Sequence, residues 1–320
     1  MALLEIKNLK MYFSTKEGDV HAVDDITLSI EQGEVLGLAG ESGSGKSSIA
    51  LTILSLLPSN ARFLQGGVFL DGQDLSRLTE NELREIRWKK ISLVSQTAMN
   101  ALNPVFRVGD QIKEAIQAHS KVPNSPATGQ VKYLLEEVGI PQDRYSAFPH
   151  ELSGGMKQRA MIAMALALDP ELVIADEPTT ALDVIIQAQI LVLLRALQKQ
   201  KKMAMLLITH DLSIVAEMCD KVAIIYAGQI VEYGTASQVF HNPHHPYTIG
   251  LIKAFPNISA KRSKLSSIPG APPDLVRLPV GCRFKARCTY AKEQCSEMPQ
   301  LRELEPNHTV RCWFAEETHF

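Results

Sequence analysis

The chain has no apolar run approaching the roughly 20 residues that a bilayer-crossing helix requires. Its first residues, Met1 to Leu9, alternate charged and apolar side chains and do not form the basic-then-apolar pattern of a secretory leader. A protein that stays in the cytoplasm is therefore expected. Charge of one sign is also missing, with 33 Lys and Arg against 35 Asp and Glu. That balance leaves no long-range field to gather nucleic acid or anionic lipid, so a membrane role has to run through a protein partner. Internal repeats, heptads and low-complexity tracts are absent, which excludes solenoids and coiled coils. Cysteine is scarce, and five in a cytosolic chain of 320 residues make a poor disulfide framework. Four of the five nevertheless fall in the last forty residues, a clustering that needs its own explanation.

What is present is ordinary globular composition, 45% hydrophobic and 21% charged, enough for one large core and an appendage. Short apolar runs at Val35 to Ala39, Ile91 to Val94, Leu172 to Ala175 and Met205 to Ile208 read as buried strands with helical stretches between them. That alternation predicts an α/β fold with a parallel sheet, whose strand carboxyl ends collect ligands. Gln32-Gly33, Asp71-Gly72 and Ala227-Gly228 punctuate closely spaced β-like segments, predicting hairpins in a small antiparallel layer. Thr79 and Glu82 form a capping box for a short helix ending near Arg87. Met99 to Ala147 reads as an inserted helical segment. Beyond His241-Asn242-Pro243-His244-His245-Pro246, prolines and cysteines replace periodic apolar sequence, so a C-terminal appendage is expected there.

Gly40-Glu41-Ser42-Gly43-Ser44-Gly45-Lys46-Ser47 follows the Val35 strand and precedes a helix-forming run, Ser48 to Leu57. This is the setting of a phosphate-binding P-loop. Glycines let the backbone curl so that successive N–H groups face phosphate oxygens, and the helix start adds partial positive charge. Lys46 then reaches the β- and γ-phosphates and the Ser47 hydroxyl takes Mg²⁺. Leu172 to Ala175 delivers Asp176 to the Mg²⁺ shell, with Glu177 beyond it as general base for the attacking water.

Leu152-Ser153-Gly154-Gly155-Met156-Lys157-Gln158 opens a helix running from Met156 to Leu168, and it resembles the ABC signature. Further motifs of the ABC ATPase superfamily follow in family order: Gln96 as Q-loop, Ala181-Leu182-Asp183 as D-loop, and His210 in Thr209-His210-Asp211. The resemblance implies a P-loop NTPase cassette over residues 1–235, with a helical subdomain at about 99–165 and an extension over 236–320. It implies two cassettes closing head to tail, Ser153, Gly154 and Gly155 of each contacting the γ-phosphate held by the P-loop of the other. By the same resemblance Gln96 joins Mg²⁺ to the transporter contact, Asp183 links the two sites, His210 contacts the γ-phosphate, and Ser48 completes the nucleotide-binding run. Adenine is expected to stack on Phe13, with Tyr12 as the alternative. Two departures stand out: Met156 occupies the usual glutamine of the signature, and Ser95-Gln96-Thr97-Ala98 replaces the commoner aromatic-Gln-Asp-Pro.

Met99-Asn100-Ala101-Leu102-Asn103-Pro104, Pro178 to Asp183 and His245-Pro246-Tyr247-Thr248 resemble the ATPase subunits of dipeptide and oligopeptide importers over nearly the whole chain. That resemblance implies ATP-driven peptide import with two membrane-spanning permease subunits, a second related or identical ATPase subunit and, indirectly, an extracellular substrate-binding protein. It also implies residence at the cytoplasmic face of the plasma membrane. The residues themselves do not separate peptide from sugar or nickel cargo. Cys282, Cys288, Cys295 and Cys312 could hold a [4Fe–4S] cluster or Zn²⁺, or remain free thiols or form a disulfide; gaps of five, six and sixteen residues are wide for zinc. The importer resemblance implies the cluster. Cys219, beside Ile214, Val215 and Met218, and Met156, Met161 and Met164 read as core. The histidines at 241, 244 and 245 read as a turn. A nucleic-acid ABC ATPase would carry a long coiled coil or a second cassette, and a non-hydrolytic subunit would lack Lys46, Asp176, Glu177 or His210; neither description fits.

Overall fold

The computed structural model describes residues 2–95, 101–120, 122–180, 182–254 and 268–318. Gln96 to Asn100 and Ala181 lie outside the described residues. Two compact units emerge, one made of Met1–Ile30, Glu34–Ser76 and Leu207–Phe320, the other of Glu31–Gly33 and Arg77–Leu206.

Among the described residues the strands are β1 (Ala2–Thr15), β2 (Gly18–Glu31), β3 (Val35–Ala39), β4 (Ala61–Leu70), β5 (Gln73–Asp74), β6 (Ile91–Val94), β7 (Leu172–Asp176), β8 (Ala204–Thr209), β9 (Lys221–Tyr226), β10 (Gln229–Thr235), β11 (Arg302–Glu305) and β12 (His308–Val310). The α-helices are α1 (Lys46–Ile53), α2 (Glu80–Ile86), α3 (Val108–His119), α4 (Asn124–Glu137), α5 (Gly154–Ala165), α6 (Val184–Lys201), α7 (Leu212–Met218), α8 (Ala236–His241) and α9 (Pro246–Ala254). None of them is long and apolar enough to cross a membrane.

In the first unit an antiparallel sheet has the order β2-β1-β4-β5. Leu4 and Ile6 of β1 are buried at even positions, Leu9 and Met11 at odd ones. A register shift between Lys7 and Lys10 inserts the extra residue that flips the parity, so one inward row continues through the strand. A second group of strands is parallel at its centre: β3 pairs with β9, Leu36 opposite Lys221 and Ala39 opposite Ile224. All five residues of β3 are buried, which suits a parallel strand covered on both faces.

That burial corrects the expectation at Gln32-Gly33. No hairpin forms there, because β2 belongs to the antiparallel sheet and β3 pairs with β9. Hairpins do form at Asp71-Gly72 and Ala227-Gly228, where both central residues have positive φ, the turn geometry that matches strand twist. The second of these prolongs the parallel strands, since β10 returns antiparallel along the buried β9. The C-terminal extension then adds two strands. β12 pairs with β10 with Val310 opposite Glu232, and β11 pairs with β12.

In the second unit β6 and β7 are parallel, Ile91 opposite Leu172. Thr79 and Glu82 cap α2 reciprocally, as the sequence predicts. Among its described residues the helical segment contains α3, α4 and a 3-10 turn at Gln142–Ser146, and a second 3-10 turn follows at Pro149–Glu151. Its pieces are tied by long polar side chains: Gln130 Nε2 donates to the Ala167 carbonyl at 3.0 Å and Arg159 Nη1 to the Val138 carbonyl at 2.7 Å. The signature helix α5 begins at Gly154, two residues before the predicted start, because Ser153 caps it. Likewise α1 begins at Lys46 and stops at Ile53.

Polar pairs join the aromatic packing of Tyr247 and Phe284 on Tyr226 in docking the extension within the first unit. Glu232 is fully buried and accepts from the backbone N–H groups of His244 and His245 at 2.8 and 2.9 Å and from His308 Nε2 at 2.8 Å. Arg311 donates to Asp25 at 3.0 Å and to the Ile230 carbonyl at 3.1 Å. Arg283 bonds Asp24 and the Ala227 carbonyl. Burial alone would push the Asp24 carboxyl up, but Arg283, the Tyr12 hydroxyl and Lys10 together hold it below its ordinary value. Burial lowers Arg283 as well, yet a guanidinium keeps its proton in proteins, so the pair stays charged.

Two outcomes follow from this docking. Glu232→Ala strands three buried donors and should cost about 3 kcal/mol of stability, read as a lowered midpoint in denaturant unfolding. Because the folded Asp24 carboxyl is depressed, its contribution is complete above the unfolded value near about 4 and is lost as pH falls through the folded one. Asp24→Asn should therefore flatten the acid limb of the stability-against-pH curve while lowering stability at neutral pH; an unchanged acid limb would refute the assignment.

Candidate functional site

In the first unit β3 feeds directly into the loop of residues 40–47, and Gly45 sits at the helix cap with φ +105°. A Cβ at Gly45 would lie 2.0 Å from the Ala22 carbonyl oxygen, so only glycine fits where the loop turns into α1. No side chain caps this helix, leaving its first N–H groups to the loop. Ser42, Gly43 and Ser47 are exposed on the loop, Ser44 is buried and Ser48 half-buried.

Lys46 is the buried centre of the loop, only 6% exposed. Its Nζ donates to the Gly40 carbonyl at 2.8 Å, the Glu41 carbonyl at 2.9 Å and Ser44 Oγ at 3.4 Å. Glu41 is in turn held from outside the loop. Its N–H donates to Tyr247 Oη at 2.9 Å, and its carboxylate takes both terminal nitrogens of Arg287 at 2.7 and 2.9 Å. Nothing in the sequence around Glu41 announces these partners, which lie 206 and 246 residues away. His210 is exposed at the end of β8, followed by Asp211, whose side chain caps α7.

The two candidate adenine rings differ in engagement. Tyr12 stacks on His21 with centroids 4.0 Å apart and donates to Asp24 at 3.0 Å. Burial and the Asp24 charge push its phenol up to about 12, so it remains a donor. Phe13 is half-buried near the end of β1, opposite Ala61.

In the second unit Asp176 ends β7 and Glu177 follows in the left-handed region, φ +47°. A non-glycine residue pays conformational strain there, and such strain concentrates at functional positions. Glu177 Oε2 accepts from Thr180 Oγ1 at 2.9 Å, which fixes the direction of the carboxylate. Ser153 caps α5 by accepting from Met156 N at 3.3 Å, and Asp183 caps α6 by accepting from Ile186 N at 3.0 Å. A Cβ at Gly155 would stand 2.8 Å from Ile186 Cγ2, so the two helix starts, signature and D-loop, press together at a glycine. Both present exposed polar caps, with Val184 and Ile185 exposed beside them. Gln96 is outside the described residues.

The cysteines converge as well. Cys282, Cys288, Cys295 and Cys312 line one pocket with Phe284, Tyr290 and Trp313. None of the four is joined in a disulfide. Burial, then the neighbouring thiols, pushes Cys288 up to about 11, and burial pushes Cys312 up to about 12. Among the described residues no group of three or more His, Cys, Asp or Glu is arranged to hold a metal ion. Cys219 is buried core, as its neighbours predict. His245 is more than a turn residue: burial pushes it down to about 4, and its neutral Nδ1 accepts from Tyr247 N at 3.0 Å.

Residues 23–180 match the family model of the ABC transporter, and residues 231–295 match that of the oligopeptide/dipeptide transporter C-terminal region. The chain is 46% identical over 314 residues to the oligopeptide transport ATP-binding protein OppD of Escherichia coli (strain K12), covering 98% of this chain and 93% of that protein. With the dipeptide transport ATP-binding protein DppD of the same strain it shares 45% over 317 residues, 98% and 97% of the two chains. Among solved structures, the dimeric post-hydrolysis cassette MJ0796 bound to ADP and Pi superposes with a TM-score of 0.66 at 26% identity, over 73% of this chain and 98% of that one. CbiO1 from Clostridium perfringens gives 0.65 at 27%, over 75% and 91%. The chain therefore belongs to the ATP-binding proteins of ABC transporters, in the oligopeptide and dipeptide transport branch.

Proposed function

We propose that this chain hydrolyses ATP to power import of di- or oligopeptides. It does so as one of two ATPase subunits docked on two membrane-spanning permease subunits at the cytoplasmic face of the plasma membrane. The observation that carries the reading is the loop of residues 40–47, where a buried Lys46 ammonium is pinned at the start of a helix with no side-chain cap. A likeness to peptide-transport ATP-binding proteins over 98% of the chain supplies the cargo class. An extracellular binding protein delivers peptide to the permease and meets this subunit only indirectly. Residues 1–235 form the cassette in this reading, with 99–165 as its helical subdomain and 236–320 as the extension.

Each residue has a role set by its chemistry. Backbone N–H groups of the loop from Gly43 to Ser48 cradle the phosphates, and Lys46 neutralises β- and γ-oxygens. Ser47, Asp176 and Gln96 belong to the Mg²⁺ shell. Glu177, directed by Thr180, polarises the attacking water, and His210 assists on the γ-phosphate. Phe13 is the adenine platform, since Tyr12 is already committed to His21 and Asp24. Ser153, Gly154, Gly155 and Asp183 face a second cassette, whose own P-loop they complete; exposed caps beside exposed Val184 and Ile185 suit such a surface. Glu177→Gln should lower turnover about a hundred- to ten-thousandfold while ATP binding persists and the ATP-bound dimer accumulates on sizing columns. Undiminished turnover in that variant would reject Glu177 as the base.

The finer proposal concerns the cysteine pocket, which we assign to a [4Fe–4S] cluster held by Cys282, Cys288, Cys295 and Cys312. Four thiols around one pocket, Cys295 buried and the others half-buried, repel each other's ionisation, and a cluster would supply the missing positive charge. Gaps of five, six and sixteen residues between the cysteines are wide for structural zinc, which favours pairs two to four residues apart. Its role would be to staple a segment poor in apolar residues. Anaerobically purified protein should show a broad absorbance near about 400 nm with about four irons and four sulfides per chain, lost in Cys288→Ser. Stoichiometric zinc, or four titratable thiols without metal, would overturn it.

A further inference from the structure

Among the described residues the Glu41 peptide is where the C-terminal extension grasps the loop described above, and its N–H, carbonyl and carboxylate are all used. The N–H goes to Tyr247 Oη at 2.9 Å, the carboxylate to the Arg287 fork at 2.7 and 2.9 Å, and the carbonyl receives Lys46 Nζ at 2.9 Å. Both outside partners are buried and oriented. Tyr247 is fully buried, packed at 4.6 Å between ring centroids on Tyr226 and at 5.4 Å on Phe284. Arg287 has a 5% exposed side chain, donates through Nε to the Pro269 carbonyl at 2.8 Å and lies 5.7 Å over the Tyr226 ring. A planar guanidinium fixed at Nε and bidentate at its tip has little freedom left, so it defines where the carboxylate of Glu41 must sit.

We infer that Arg287 and Tyr247 are positioning residues for ATP binding: through Glu41 they fix the carbonyl that orients the Lys46 ammonium. The inference rests on the nucleotide reading of the loop and is independent of what the cysteine pocket holds. Its physical content is preorganisation. An ammonium whose acceptors are already in place needs less ordering when triphosphate arrives, and that saving appears in ground state and transition state alike. The extension would therefore tune affinity for ATP, leaving the chemical step nearly untouched. Arg287 directly precedes Cys288 and Phe284 follows Cys282 by two residues, so the segment that carries the cysteines also carries the grip on the loop.

The test uses the assembled importer, with ATP hydrolysis measured against ATP concentration, and the full chain titrated with a fluorescent ATP analogue. Tyr247→Phe deletes one hydroxyl and keeps the ring packing; KM for ATP and the analogue's dissociation constant should rise about fivefold with kcat changed less than about twofold. Arg287→Ala should raise both about tenfold or more, Arg287→Lys should recover part of the loss, and Arg287→Ala placed in a Glu41→Gln background should add little. Thiol and iron content, measured on every variant, separates this effect from damage to the cysteine pocket. A lowered melting midpoint with unchanged KM in both Tyr247→Phe and Arg287→Ala would reduce the contacts to scaffolding and overturn the inference, as would additive losses in the double variant. Wild-type protein that neither binds nor hydrolyses ATP would instead sink the nucleotide reading itself.

Discussion

A buried ammonium has to be surrounded by oxygen, and much of the first unit follows from meeting that demand at Lys46. Leaving a charge of this kind without acceptors costs far more than any single packing contact returns. The Gly40 and Glu41 carbonyls answer it, and they can do so only because the backbone doubles back over the start of α1. That reversal needs glycine at position 45, where the Ala22 carbonyl leaves no room for a side chain. It also needs a strand stiff enough to deliver the loop, which β3 provides by being buried along its whole length against β9. The sheet serves the loop, and the loop serves the charge.

The second unit meets a related demand with opposite sign. Asp176 and Glu177 are adjacent acids at a strand end, and the backbone turns sharply enough at Glu177 to enter the left-handed region. Thr180 then holds the second carboxylate, its hydroxyl donating to Glu177 Oε2 at 2.9 Å. Two acids pointing the same way would depress each other's ionisation, whereas a metal ligand and a base need separate directions. The strain at Glu177 is what the proposed division of labour between these neighbours would require. Signature and D-loop share the logic of economy: each is a helix start capped by a short polar side chain, and a glycine lets them touch.

Much of this could be read from the residues. Strands β3 and β6 carry the bounds their apolar runs predict, and β7 gains only Asp176. The cap at Thr79 and the hairpin at Asp71-Gly72 have strong local chemistry, and local chemistry survives folding. The Gln32-Gly33 expectation failed because a turn dipeptide says that the chain bends, not which sheet receives the next strand. Strands β11 and β12 were invisible because Arg302–Glu305 and His308–Val310 are short and polar, and they form by adding to the edge of β10. For the site, the loop and the helix start after it were legible from the glycine, lysine and serine spacing read together with the flanking strand and helix-forming run. The partners of Glu41 were not, since an arginine and a tyrosine more than two hundred residues away carry no pattern that points to one glutamate.

The extension shows why such contacts escape a sequence reading. It holds to the rest of its unit through Arg283 on Asp24, Arg311 on Asp25, Arg287 on Glu41 and His308 on Glu232, four cationic or donor groups meeting four acids. None of the four acids sits in a local pattern that names its partner, so the pairing is hidden until the partner is seen. Buried pairs of this kind add little net stability compared with apolar packing, but they are unforgiving of misplacement, because a charge moved from its partner stays buried and unsatisfied. A segment fastened in this way has essentially one docked arrangement. The consequence reaches the loop: the fork of Arg287 cannot slide along Glu41 as an aliphatic contact could, so the position of the extension and the position of the Lys46 acceptors are specified together.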